Sequence, residues 1–269
     1  MSNPWRKPKV LAVLTWAYFA WWFVPILLAV RTAFNAGDAI ANPYGFSLQW
    51  FWRAERDPEL RRAFLQSMGL GALTVAAALP LGTTLALALH HLRTRSSRAL
   101  GAVAILALAT PQPALAVALF FLSVHVFRFV RLDSGAQILG HITLALPIVA
   151  IIVRVRLLAI GRDYEEMAMD LGASPAESLR RVLLPLLSPA LIVAGVVAFA
   201  VSFDNIVISD FLCLPNNCRT IPTFLYNTGR GGDPAPTLYA LATIGLVLSI
   251  LVVASAAWLL RLNRARRLA

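Results

Sequence analysis

Long stretches without a single charge constrain this chain more than any other feature. Val10–Val30 carries none, and Phe64–Leu89 and Ala99–Val124 are similar. Ser134–Val153 has His141 as its one polar ring group. Leu186–Ile208 is interrupted late by Asp204, and Pro234–Leu260 completes a set of six. About 20 apolar residues in a helix cross the roughly 30 Å hydrocarbon layer of a bilayer. Backbone amides have no water partners there, so such runs are helices unless they close into a barrel. The runs lack the period-two alternation of barrel strands, which disfavours a barrel. The reading is an all-α integral membrane protein with six transmembrane helices.

Composition agrees. Of 269 residues, 59% are hydrophobic and 14% charged, against about a quarter charged in ordinary soluble domains. This excludes a disordered chain and a water-soluble enzyme. A net charge of +11 could suggest nucleic acid. The positive residues lie between the apolar runs, however, so they report topology and no nucleic-acid partner is expected. With six spans, fifteen of the 24 Lys and Arg fall on one side, among them Arg6, Lys7, Arg93, Arg154 and Arg162. The other side has nine, including Arg31, Arg53, Arg128 and Arg131. Counting acids, the two sides carry +10 and +1. The richer side is cytoplasmic by the positive-inside rule, which puts both termini inside.

The expected organisation is a cytoplasmic N-terminus at 1–9, one membrane domain at 10–260 and a cytoplasmic tail at 261–269. Val10–Val30 is long for the apolar core of a cleaved leader, so it is expected to be retained. No soluble domain is expected at either end. An outer loop at 31–63 contains Trp50 and Trp52 and reads as a short amphipathic element on the interface. Pro25, Pro80, Pro111, Pro113 and Pro147 fall inside spans. They predict kinks, or reflect only the ordinary tolerance of membrane helices for proline.

The loop at 161–185 is the most informative stretch. Acids at Asp163, Glu165 and Glu166 suit a helix N-terminus, and Gly172 suits its left-handed close. Ser174, Pro175 and Glu177 then read as N-cap, first position and capping-box partner of a second helix. Leu179, Val182 and Leu183 form an apolar stripe, Arg180 and Arg181 face out, and Pro185 is expected to end the piece. A plain connector needs neither two helices nor a capping box, so a rigid elbow held by another protein is the better reading.

On these residues the loop resembles the EAA loop of binding-protein-dependent ABC importer permeases. That pattern is Glu-Ala-Ala, three residues, Gly, nine residues, Ile, one residue, then Leu-Pro. It falls on Glu166, Met167, Ala168, Gly172, Val182, Leu184 and Pro185, with Met167 and Val182 departing from Ala and Ile. Further stretches resemble the second permease of spermidine/putrescine importers: Val201–Phe211, Thr220–Tyr226, Ala240–Ser249 and, in the outer loop, Tyr44–Trp50. The resemblance implies the transmembrane domain of a type I ABC importer. It implies alternating access and a bacterial cytoplasmic-membrane location. Implied partners are a second homologous permease in a heterodimer, two ATPase subunits holding ATP and Mg, and an extracytoplasmic solute-binding protein. Glu166, Ala168, Gly172, Ala173, Ser174, Pro175 and Glu177 would then couple to an ATPase subunit. A polyamine is the expected solute; an amino acid derivative or thiamine-like compound is the alternative.

Asp204 is an ionisable group inside a span and hence a functional candidate. With Ser202, Phe203 and Asn205 it could hold an ammonium group on the substrate pathway, or Asp204 and Asn205 could satisfy backbone at a helix break. Cys213 and Cys218 flank four residues of an outer loop, where a disulfide is possible. His90 and His91 lack further ligands at metal spacing, so no metal is expected. No phosphate-binding loop or nucleophile elbow occurs, so neither ATP binding nor catalysis is expected of this chain. An ion-gradient transporter is the rival class. It would show internal repeats and several intramembrane charges.

Overall fold

A computed structural model describes residues 9–37, 45–92, 95–126, 133–214, 218–230 and 236–268. Arg6, Lys7, Tyr44, Arg93, Arg128, Arg131 and Pro234 lie outside them. Among the described residues the chain is helical. Its elements are α1 (Lys9–Ala33), α2 (Gln49–Arg56), α3 (Pro58–His91), α4 (Arg95–Ala109), α5 (Gln112–His125), α6 (Ser134–Ile160), α7 (Asp163–Asp170) and α8 (Pro175–Ser178). A π-helical turn (Leu179–Leu183) follows, then α9 (Leu184–Phe203), α10 (Val207–Phe211), α11 (Ile221–Gly229) and α12 (Pro236–Leu268).

Five of these helical stretches are long and apolar enough to cross a bilayer: Val10–Ala33, Pro58–His91, Ser134–Ile160, Pro175–Phe203 and Pro236–Arg261. The sixth expected span, Ala99–Val124, is instead a pair, α4 and α5, bent by 112°. Thr110–Pro111 is the cause. Proline pushes the residue before it out of helical geometry and offers no N–H, so the ladder stops rather than kinks. Pro25, Pro80 and Pro147 sit within unbroken helices.

The chain divides into two compact units, residues 1–61 with 227–247 and residues 62–226 with 248–269. In the first, the apolar length of α1 is exposed, and only its last turn packs. Ala33, Trp50 and Ala240 are buried together, flanked by Phe34, Phe51 and Tyr239. Trp50 Nε1 donates to the Asn35 carbonyl at 2.6 Å, and the Arg53 guanidinium lies 4.5 Å from the centre of the Trp50 ring. The expected interfacial role thus applies to Trp52, which is exposed, and not to Trp50, which is 4% exposed. A bonded indole N–H removes the reason for that ring to seek the headgroup layer.

In the second unit α6 packs chiefly on α9. Ala145, Val149, Ala150, Val153 and Leu157 of α6 meet Leu187, Ala194 and Ala198 of α9 and Ala78 and Ala86 of α3. Small residues allow this approach. A Cβ on Gly82 would lie 2.7 Å from the Val149 Cβ and 2.9 Å from the Leu146 carbonyl oxygen. Lipid tails are as apolar as leucine, so close backbone approach and polar bonds bind helices here more than hydrophobicity does.

Candidate functional site

The elbow is built from strictly local signals. Helix α7 closes with a complete Schellman arrangement. The Ala173 amide donates to the Ala168 carbonyl at 3.0 Å, and the Gly172 amide to Met169 at 2.9 Å. Gly172 sits at φ +90°, a conformation that side chains with a Cβ avoid. Two residues on, a capping box starts α8. The Ser174 hydroxyl accepts from the Glu177 amide at 3.3 Å, while Glu177 Oε2 accepts from the Ser174 amide and hydroxyl at 3.0 Å each. These bonds favour the ionised form of Glu177 and hold its carboxyl below the ordinary carboxylate pKa.

The elbow faces outward. No residue of α7 is buried, and Tyr164, Met167 and Leu171 are half or more exposed, Leu171 by 90%. Glu166, Gly172, Ser174, Pro175 and Glu177 are exposed, with Ala168 and Ala173 half-buried beneath them. Two bonds tie its start to the end of α3. His91 Nε2 lies 2.9 Å from Glu165 Oε2, and Arg162 donates to the His90 carbonyl at 2.9 Å.

Pro185 does not end the helix, contrary to expectation. From Pro175 to Phe203 the chain is one continuous helical stretch. The π turn at Leu179–Leu183, closed by the Leu184 amide on the Leu179 carbonyl, immediately precedes the proline. A wider turn gives the ring room that an α turn denies it. The elbow therefore runs without a joint into the core helix α9.

At the far end of α9 the four residues Ser202 to Asn205 separate. Asp204 is exposed and closes α9. Phe203 is half-buried and stacks on Phe199 with centroids 5.7 Å apart. Asn205 is buried. Its Oδ1 accepts from the Ile208 amide at 2.8 Å, and its Nδ2 lies 3.4 Å from Gln112 Oε1. Asn205 thus serves the helix break between α9 and α10.

Ser202 belongs to a buried polar chain that residue spacing did not expose. Its hydroxyl donates to Thr74 Oγ1 at 3.2 Å and meets His141 Nδ1 at 2.7 Å. His141 Nε2 meets Ser209 Oγ at 2.9 Å. Gln137 donates to the carbonyls of Ser209 and Cys218 at 2.8 and 3.0 Å, and Gln66 reaches Gln137 at 2.9 Å. Helices α3, α6, α9 and α10 are joined by it. The available signal was the presence of Gln137 and His141 in an otherwise apolar run. Cys213 and Cys218 are joined by a disulfide, with Cα atoms 5.7 Å apart. It fixes the carbonyl that Gln137 uses.

Residues 78–267 match the family described as the binding-protein-dependent transport system inner membrane component. The chain is 30% identical over 237 residues to the spermidine/putrescine transport system permease protein PotC of Escherichia coli K12, covering 88% of each. It is 29% identical over 265 residues to the putrescine transport system permease protein PotI of the same strain, covering 97% of this chain and 92% of the relative. Among solved structures, a chain of a bacterial ABC transporter that imports the acidic polysaccharide alginate superimposes with a TM-score of 0.74 at 18% identity. That match covers 94% of this chain and 95% of the other. A chain of the MetNI methionine ABC transporter gives 0.63 at 20% identity, covering 81% and 99%. At these identities the solved structures speak to the fold alone. Family match and relatives together establish that the chain belongs to the inner-membrane components of binding-protein-dependent transport systems, the permeases of ABC importers.

Proposed function

We propose that this permease forms half of the pathway by which an ATP-driven importer takes up a polyamine. Its elbow receives the motion of an ATPase subunit. The observation that carries the reading is the unbroken course from a firmly capped, outward-facing elbow into α9, whose Ser202 is bonded into the polar chain across the core. A displacement at Pro175–Glu177 has no break in the helix in which to dissipate before it reaches Ser202. The names of the relatives support spermidine or putrescine as solute. Asp204, exposed at the end of α9, supplies a carboxylate for an ammonium group, and Phe203 beside it a ring face.

The remaining parts follow from the same reading. ATP and Mg belong to two separate ATPase subunits. A second permease completes the pathway, and a solute-binding protein delivers from outside. The lysine and arginine bias supports a cytoplasmic position for both termini and the elbow. The test is uptake of labelled putrescine and spermidine by cells whose own polyamine import is deleted. Co-expression with an ABC ATPase, a second permease and a solute-binding protein of a polyamine importer should restore ATP-dependent uptake. Gly172→Pro, or Ala173→Glu, should abolish it with membrane insertion intact. Uptake unchanged by Ala173→Glu, or sustained by an ion gradient without ATP, would refute the coupling role.

A further inference from the structure

Beside the elbow a cavity of about 700 Å³ opens among the ends of α3, α4 and α6. Its wall has two chemistries. Leu89, Ile105 and Leu158 make an apolar side, and Arg154 and Arg162 make a basic one beside His90. The basic side is not neutralised from within. Among the described residues Arg154 has no carboxylate partner, and Arg162 spends one donor on the His90 carbonyl. Glu165, the nearby acid, is engaged with His91 at 2.9 Å. His90 Nε2 is buried and has no hydrogen-bond partner among the described residues.

Such a wall selects its occupant. A cationic solute is repelled by two guanidiniums, so the cavity lies off the route of a polyamine. A small free anion would use the basic side and leave three aliphatic side chains against water. A molecule with an anionic phosphate and a hydrocarbon chain uses both sides. The cavity adjoins helices of bilayer-spanning length, where that molecule is abundant, and basic pockets between membrane helices are known to take such headgroups. We propose that the cavity is a binding site for an anionic phospholipid. Arg154 and Arg162 hold the phosphate, and Leu89, Ile105 and Leu158 cover the first methylenes. The bound lipid braces α3 and α4 against the root of the elbow.

The full chain is reconstituted in phosphatidylcholine nanodiscs containing phosphatidylglycerol, released into detergent, and its retained lipids are counted by native mass spectrometry. Wild type should retain phosphatidylglycerol over phosphatidylcholine. Arg154→Gln should lower that preference about fivefold, the weight of one basic residue at a membrane surface, and Arg154→Lys should keep most of it. Ala102→Phe, which fills the apolar side without altering charge, should lower retention as well and serves where the arginine variant does not fold. Equal retention of the two lipids by wild type, or a preference unmoved by both Arg154→Gln and Ala102→Phe, would overturn the proposal. Displacement of the lipid by millimolar inorganic phosphate or glycerophosphoglycerol would assign the site to free anions instead.

Discussion

Helices α1 and α6 are both of bilayer-spanning length and composition, yet they live differently. Within its own unit α1 exposes its apolar run from Val10 to Leu28, including Trp16, Tyr18, Trp21 and Trp22. Helix α6 buries Ala136, Gly140, Ala145, Val149 and Ala150, and with them Gln137 and His141. Apolar content put both in the membrane. What lets α6 pack within its unit is small side chains that permit contact and, with them, the polar Gln137 and His141 that reward it. Where water is absent, burial of hydrocarbon in hydrocarbon gains little.

That contrast can be broken by substitution. The largest effect is expected from Gly82→Leu, which drives a side chain into Val149 and the Leu146 carbonyl. Overpacking of this kind costs about 3 kcal/mol, and the monodisperse fraction on size-exclusion chromatography should collapse. The same residue placed in α1, Ala17→Leu, should leave the profile unchanged. Next comes His141→Leu, which strips a partner from Ser202 and from Ser209. At about 1 kcal/mol per buried bond, the loss is about 2 kcal/mol and the thermal midpoint in detergent falls. Thr15→Leu, whose hydroxyl merely returns to the Leu11 carbonyl on exposed α1, should not move it. An equal response of the two midpoints would mean that burial is not the distinction. The smallest effect belongs to Ser174→Ala. Loss of the cap should cost about 1 kcal/mol locally, lowering uptake while the core midpoint stays put.

The elbow was legible because its determinants are neighbours in sequence. Gly172, Ser174 and Glu177 act within a few residues of one another, so spacing alone announced the left-handed close and the capping box. The polar chain was not legible. Ser202 and Thr74 are 128 residues apart, and His141 and Ser209 are 68 apart. No local pattern says which polar residues of separate runs will face one another. The break at Thr110–Pro111 and the passage of a helix through Pro185 fall between these cases. Both prolines were visible, but a proline alone does not say whether a helix stops, since Pro25, Pro80 and Pro147 lie within unbroken helices. At Pro185 the preceding turn is of π type and the helix survives.

The π turn has a mechanical meaning. It contains one residue more than an α turn would use, and each residue of an α-helix advances its direction by about 100°. The surplus residue therefore sets the azimuth of the elbow with respect to α9, much as a spline sets a crank on its shaft. The tally of residues within Leu179–Leu183 sets this direction, while Leu183 and Leu179 are also held by packing in the core. One residue lost would leave both parts folded and the crank pointing the wrong way.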